Sequence, residues 1–265
     1  MSDSSQPDSN NQQQETGPET FISHLIELRD RIVKAAAAII IIFIGLSIWP
    51  SPSAIYDFLA HPMLVALPEG SKMIATGVIA PFLVPMKVTL LVAFVVALPW
   101  VLYQAWAFVA PGLYQHEKKL VLPLVISSTF LFIAGMSFCY FFVFGVVFKF
   151  IAGFAPQSIS VAPDIENYFD FVLTLFMAFG VTFEVPIVVI VLVRMGLVTV
   201  EKLKEIRPYV IVGAFVVGAI FTPPDIMSQL LLAVPLWLLY ELGLIVAPIF
   251  AKATKAPEAA PASGQ

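Results

Sequence analysis

Apolar positions along this chain fall in long unbroken runs rather than in alternation. A helix needs roughly 20 mostly apolar residues to cross a hydrocarbon core, and continuous runs favour helices over barrel strands. The first run covers 32–49, with Lys34 near one end where its stem can snorkel. A charge-free stretch at 88–116 places a second span, whose helix is expected to start near Phe82 and cover 82–110. The run at 120–148 contains no charge, and 168–193 is broken within its apolar part only by Glu184. Residues 208–221 are apolar but few, and 226–248 closes the series with Glu241 as its one charge. The pattern predicts an all-α membrane protein with six transmembrane helices, many of them bent by proline into a concave bundle.

Composition strengthens the membrane reading. Hydrophobic residues make up 59% and charged residues 12% of the 265 positions, against about 25% charged in soluble domains. The 23 Phe exceed what one soluble core of this size buries. Net charge of −4 matters less than where the charges lie. Arg29, Arg31 and Lys34 open the first span, and Lys118 and Lys119 lie between spans two and three. Arg194, Lys202, Lys204 and Arg207 lie between spans four and five, and Lys252 and Lys255 follow the last. The other side has Lys72 and Lys149, with Lys87 near the start of span two. By the positive-inside rule both termini are cytoplasmic, which agrees with an even number of spans. A polar, acidic segment at 1–20 lacks the basic start and apolar core of a cleavable signal. It and the Ala/Pro-rich 251–265 read as disordered tails around a membrane domain at 21–250. Lone Cys139 has no partner for an internal disulfide.

The fifth span is unusual. From 209 to 221 a helix rises only about 20 Å, short of a core of about 30 Å. The turn TPPD at 222–225 is equally short, so the last two helices are expected to form a shallow hairpin beside which the bilayer thins.

Acids inside spans are costly and point to function. Glu184 is the clearest case, and Pro186 beside it removes a backbone donor and kinks the helix. The alternative is a neutral Glu184 hydrogen-bonded within the bundle. Glu241 lies closer to a helix end, where headgroups are in reach. Gln229 and Ser228 suit ordinary helix–helix hydrogen bonds, and Glu166 and Asp170 suit a helix N-terminus. On the basic side, Glu27 and Glu117 stand among cations; taken singly, each suits a surface ion pair worth about 0–1 kcal/mol. His24, His61 and His116 are scattered, so no metal site is expected. The sequence carries no HExxH, GxSxG or phosphate-binding loop, and no internal repeat. Pattern alone therefore ends at a helical membrane protein with a few intramembrane acids.

Five segments, taken in order, carry the reading further. They are HLIELR at 24–29, MIAT at 73–76, YQAWAFVAPGLY at 103–114, MAFGVTFEVP at 177–186, and RPYVIVGAF at 207–215 followed by TPPD at 222–225. Together they resemble the TatC family, the multispanning component of the twin-arginine protein translocase, over roughly 21–250.

The resemblance implies transport without an enzymatic reaction, nucleotide site or cofactor. It implies a receptor for signal peptides with two adjacent arginines that moves folded proteins across the bacterial cytoplasmic membrane on the proton-motive force. Its implied partners are small single-span subunits of the TatA and TatB types and further copies in a receptor complex, with no nucleic acid. By position in the matched segments, Glu27 and Glu117 would receive the signal arginines. Phe108 would pack the apolar part of the peptide, with Arg29, Tyr114 and His116 around it. Glu184 would face a polar concavity near the partner surface, and Gln229 with Asp225 would belong to the partner-docking hairpin. Two other classes compete on the residues alone. A small-solute transporter would use Glu184 as its coupling residue, and an intramembrane enzyme would need a nucleophile–base pair that the sequence does not show.

Overall fold

The computed structural model describes residues 18–66, 73–109, 121–154, 163–221 and 226–251. These residues are helical almost throughout: α1 Pro18–Ile48, α2 Pro52–Ala66, α3 Ala80–Val109, α4 Val121–Phe138, α5 Phe144–Phe154, α6 Ile165–Phe183, α7 Val185–Arg194, α8 Val200–Glu205, α9 Arg207–Phe221 and α10 Ile226–Ala251. One π-turn, Cys139–Val143, joins α4 to α5. Five stretches are long and apolar enough to cross a membrane: Ile22–Ile48, Ala80–Val109, Val121–Phe150, Ile165–Arg194 and Ile226–Ile249. The fifth expected span, Arg207–Phe221, is shorter, whereas the last helix, expected to be short as well, runs for 26 residues. The all-helical reading with unequal spans therefore holds.

Two elements have no counterpart in the apolar-run analysis. Helix α2 is an amphipathic segment begun by Pro52, whose fixed φ suits a first helical position. It lays Ile55, Leu59 and Ala60 against the core. The short α8 is capped by Thr199, whose side chain accepts from the Lys202 amide at 3.2 Å. Before it, Gly196 takes a left-handed φ of 68°, which turns the chain where α7 ends.

The main core lies where α2, α3, α5 and α6 meet, around Val84, Phe144, Phe169 and Phe179, all fully buried. Helices α4 and α6 approach closely because each presents a glycine to the other's phenylalanines. A Cβ on Gly135 would sit 2.6 Å from the Phe179 carbonyl oxygen, and one on Gly180 would overlap the Phe132 ring. On the opposite, outward face large apolar side chains stay exposed, among them Ile41, Phe130, Phe141, Val212 and Ile245. Apolar exposure on that scale belongs to a surface covered by lipid.

A second cluster of Val189, Leu203, Tyr240, Leu244 and Ala247 ties α7, α8 and α10 together. The Tyr240 hydroxyl donates to the Leu203 carbonyl at 2.8 Å. Gly243 rests against Pro186 and Val189, so α10 runs parallel to α7. Helix α9 rises only about 22 Å.

Candidate functional site

At the N-terminal end of the first span, His24, Glu27 and Arg31 lie on one face of α1, because residues three and four apart are neighbours on a helix. The Arg31 guanidinium forks onto one oxygen of Glu27, donating from Nε at 2.9 Å and from Nη2 at 2.6 Å. Its Nη1 points across to the side-chain oxygen of Gln104 at 3.4 Å. Gln104 is buried on α3, so this contact ties the charged corner of α1 to its neighbour. The other Glu27 oxygen faces His24 Nδ1 at 3.9 Å. The His24 ring stacks on Phe108 near the end of α3, centroids 4.3 Å apart and planes 19° off parallel. Glu27 and Phe108 are thus both neighbours of His24. Arg29 is exposed and pairs with Asp30 at 2.8 Å instead of joining that patch. Tyr114, His116 and Glu117 lie outside the described residues.

The patch contains three groups that sequence reasoning did not assign to it: Arg31, Gln104 and His24. The signal for Arg31 was its i+4 spacing from Glu27. For Gln104 there was none, since only packing of α3 on α1 brings it within reach.

Glu184 marks the break between α6 and α7. Pro186 has no amide hydrogen, so the helical ladder is interrupted, and the Glu184 amide donates back to Val181 at 3.0 Å. Both carboxyl oxygens are buried and have no hydrogen-bond partner among the described residues. Ser128 of α4 is the polar side chain that approaches the carboxyl; its hydroxyl accepts from Trp106 Nε1 at 2.9 Å, which leaves the hydroxyl proton to be donated elsewhere. From Pro186 an apolar groove of about 450 Å³ continues between α4, α7 and α10 and ends at Arg194.

In the last hairpin, Gln229 donates from Nε2 to the Phe215 carbonyl at 2.9 Å. Its side chain is engaged within the hairpin, beside Gly218. Asp225 lies outside the described residues. Glu241 accepts from Arg207 Nη2 at 2.7 Å, so this acid pairs within the protein.

At the outer end, Asp164 caps α6 by accepting from the Asn167 amide at 3.1 Å. It also accepts from the Thr76 amide at 3.0 Å and the Thr76 hydroxyl at 2.8 Å, pinning the segment before α3. These bonds, the Thr76 amide first, hold its carboxyl below the usual carboxylate range. Lys87 of α3 reaches Asp170 at 2.8 Å and Glu166 at 3.6 Å. The two acids read from sequence as dipole partners thus serve as a cross-helix clamp as well.

Bent apolar helices, a charged patch at one end and a buried acid within a span define a polytopic α-helical membrane protein. Comparison with known proteins narrows the class. Residues 23–235 match the family model described as Sec-independent protein translocase protein (TatC). The chain is 52% identical over 223 residues to the Sec-independent protein translocase protein TatC of Azotobacter chroococcum mcd 1, covering 84% of this chain and 87% of the relative. It is 49% identical to the TatC protein of Escherichia coli K12, covering 84% and 86%. A crystal structure of a twin-arginine translocase receptor, TatC, superposes with a TM-score of 0.75 at 38% identity, covering 86% of this chain and 99% of that one. The chain belongs to the TatC family.

Proposed function

We propose that this chain is the multispanning receptor subunit of a twin-arginine protein translocase in the bacterial cytoplasmic membrane, with both termini on the cytoplasmic side. It binds twin-arginine signal peptides at that face and moves folded precursors with small single-span partners of the TatA and TatB types. The proton-motive force drives transport, and the role is not enzymatic. Family membership and the identity to translocase relatives support the transport role. The placement of basic residues supports the orientation.

The observation that carries the receptor reading is the α1–α3 corner, where Glu27 stands beside the His24–Phe108 stack. A carboxylate accepts the planar guanidinium fork in a geometry that lysine cannot reproduce, and an aromatic face beside it suits the apolar part of a signal peptide. Glu117 supplies the second acid for the second arginine, with Tyr114, His116 and Arg29 around it. Glu184, Gln229 and Asp225 form the surface for single-span partners. The Gln229 amide and the Glu184 carboxyl, which has no hydrogen-bond partner among the described residues, are the groups that a polar residue of a partner helix would satisfy.

The test is capture of a precursor by the whole chain in membranes. Glu27→Gln and Glu117→Ala should each weaken photo-crosslinking of an Arg-Arg precursor by about tenfold or more, the scale of a charge-assisted bond. A Lys-Lys precursor should crosslink poorly to the unmodified protein. Crosslinking at full strength in both variants would overturn the receptor assignment.

A further inference from the structure

The acid proposed to receive a signal arginine already holds one. Arg31 places two N–H groups on a single oxygen of Glu27, at 2.6 and 2.9 Å. A carboxylate has two oxygens and about four lone-pair sites, and a guanidinium bound fork to fork uses both oxygens. With Arg31 seated on one of them, an incoming arginine cannot take both. It also meets a second positive charge next to the acid. We infer that Arg31 is an internal stand-in for the signal arginine, and that binding proceeds by exchange of one guanidinium for another on Glu27. The inference rests on the reading of Glu27 as a signal-arginine acceptor.

The fold supplies what an exchange requires. Arg31 is about three-quarters buried, so its guanidinium needs another acceptor when it leaves the acid. Gln104 is that acceptor: it is buried, and its oxygen already lies 3.4 Å from Nη1. A small rotation toward α3 shortens this bond as the two to Glu27 are given up. Glu27 itself is more than one-third exposed, so the acid is reachable from the aqueous side.

Exchange also sharpens selection. An arginine that displaces Arg31 restores two charge-assisted bonds for the two lost. A lysine ammonium is a point donor and cannot restore the fork, so it gives up more than it gains. Arg31 thereby raises the threshold for every ligand, and for lysine more than for arginine.

The experiment uses the full chain in nanodiscs and fluorescently labelled signal peptides with Arg-Arg or Lys-Lys, read by anisotropy. Arg31→Gln should tighten Arg-Arg binding by about two- to fivefold, the scale of a partly exposed ion pair, and tighten Lys-Lys binding by more. The ratio of the two affinities should fall. Arg31→Lys keeps the charge without the fork and should shift the ratio in the same direction by less, which guards against a folding defect in the first variant. Gln104→Leu should weaken Arg-Arg binding, because the displaced guanidinium loses its acceptor. Unchanged or weaker Arg-Arg binding in both Arg31 variants, or an unchanged ratio, would overturn the exchange. Glu27→Gln separates the two readings. If it binds Arg-Arg peptide as well as the unmodified chain, the receptor role of Glu27 fails. If it loses binding while the Arg31 variants gain none, only the exchange fails.

Discussion

The two acids that sequence pattern and family resemblance single out, Glu27 and Glu184, live under opposite conditions. Glu27 lies at a membrane edge, half-exposed, with Arg31 on one oxygen and His24 facing the other. Glu184 lies within a span at a proline break, with both oxygens buried and without a hydrogen-bond partner among the described residues. Near water an ion pair contributes little and trades partners easily. Inside a span an unpaired acid is expensive, so the fold keeps it only beside something that will meet it. The first arrangement suits reversible capture of a charged peptide. The second suits a contact completed by another polypeptide.

The largest effect should come from reversing the buried acid. Glu184→Lys should destabilise the chain in detergent by about 2.5–3.5 kcal/mol, the insertion cost of a charge at a span centre. Glu27→Lys should cost less, about 1–2 kcal/mol, because it leaves the partly buried Arg31 without its acid, while abolishing peptide capture. Equal losses of stability from both would erase the contrast.

Between these extremes stands Glu241, an acid already paired inside the protein with Arg207 at 2.7 Å. Arg207 Nε is buried with no hydrogen-bond partner among the described residues, so the pair is its main anchor. Removing the acid by Glu241→Ala should cost about 1–2 kcal/mol, since the pair is partly solvated. Denaturant unfolding followed by tryptophan fluorescence would measure it, and a change within error would place the pair with ordinary surface ion pairs.

The smallest effect belongs to the outer end. The native carboxyl of Asp164 lies below its unfolded value because of the Thr76 and Asn167 bonds. A lowered native value means that its stabilisation is fully present above the unfolded carboxylate range, near 3.9, and fades only as pH falls through the native value. Corrected for the intrinsic base-catalysed rate, exchange of the Thr76 amide should therefore be slow and unchanged from pH 7 to pH 5. It should be faster in Asp164→Asn at neutral pH, where the weaker amide oxygen replaces the carboxylate. Equal protection in both proteins would show that the backbone bridge between Ile74 and Asp164 holds the segment by itself.

Much of the fold was legible because lipid imposes a simple rule. Backbone polar groups must be satisfied within each segment, so each crossing announces itself as a continuous apolar run. The short α9 was visible in the same way. Helix α2 escaped because it does not cross: its apolar face is local and is buried only by the packing of α3 and α5. The clamp of Lys87 on Asp170 and Glu166 escaped because its partners lie over 75 positions apart along the chain.

The site divides along the same line. Glu184 stood out from sequence because a single acid in an apolar run is conspicuous, and Glu27 because its neighbours match a family segment. Sequence by itself determined the class of the protein, its crossings and the acids worth asking about, since hydrophobic periodicity and residue identity are local properties. Only the tertiary structure decided that Arg31 occupies Glu27, that Gln104 lies beside Arg31 and that both Glu184 oxygens are buried. Which donor reaches which acceptor depends on how helices distant in sequence cross. Those crossings are set by close packing at points such as Gly135 against Phe179 and Gly243 against Pro186, which no local pattern records.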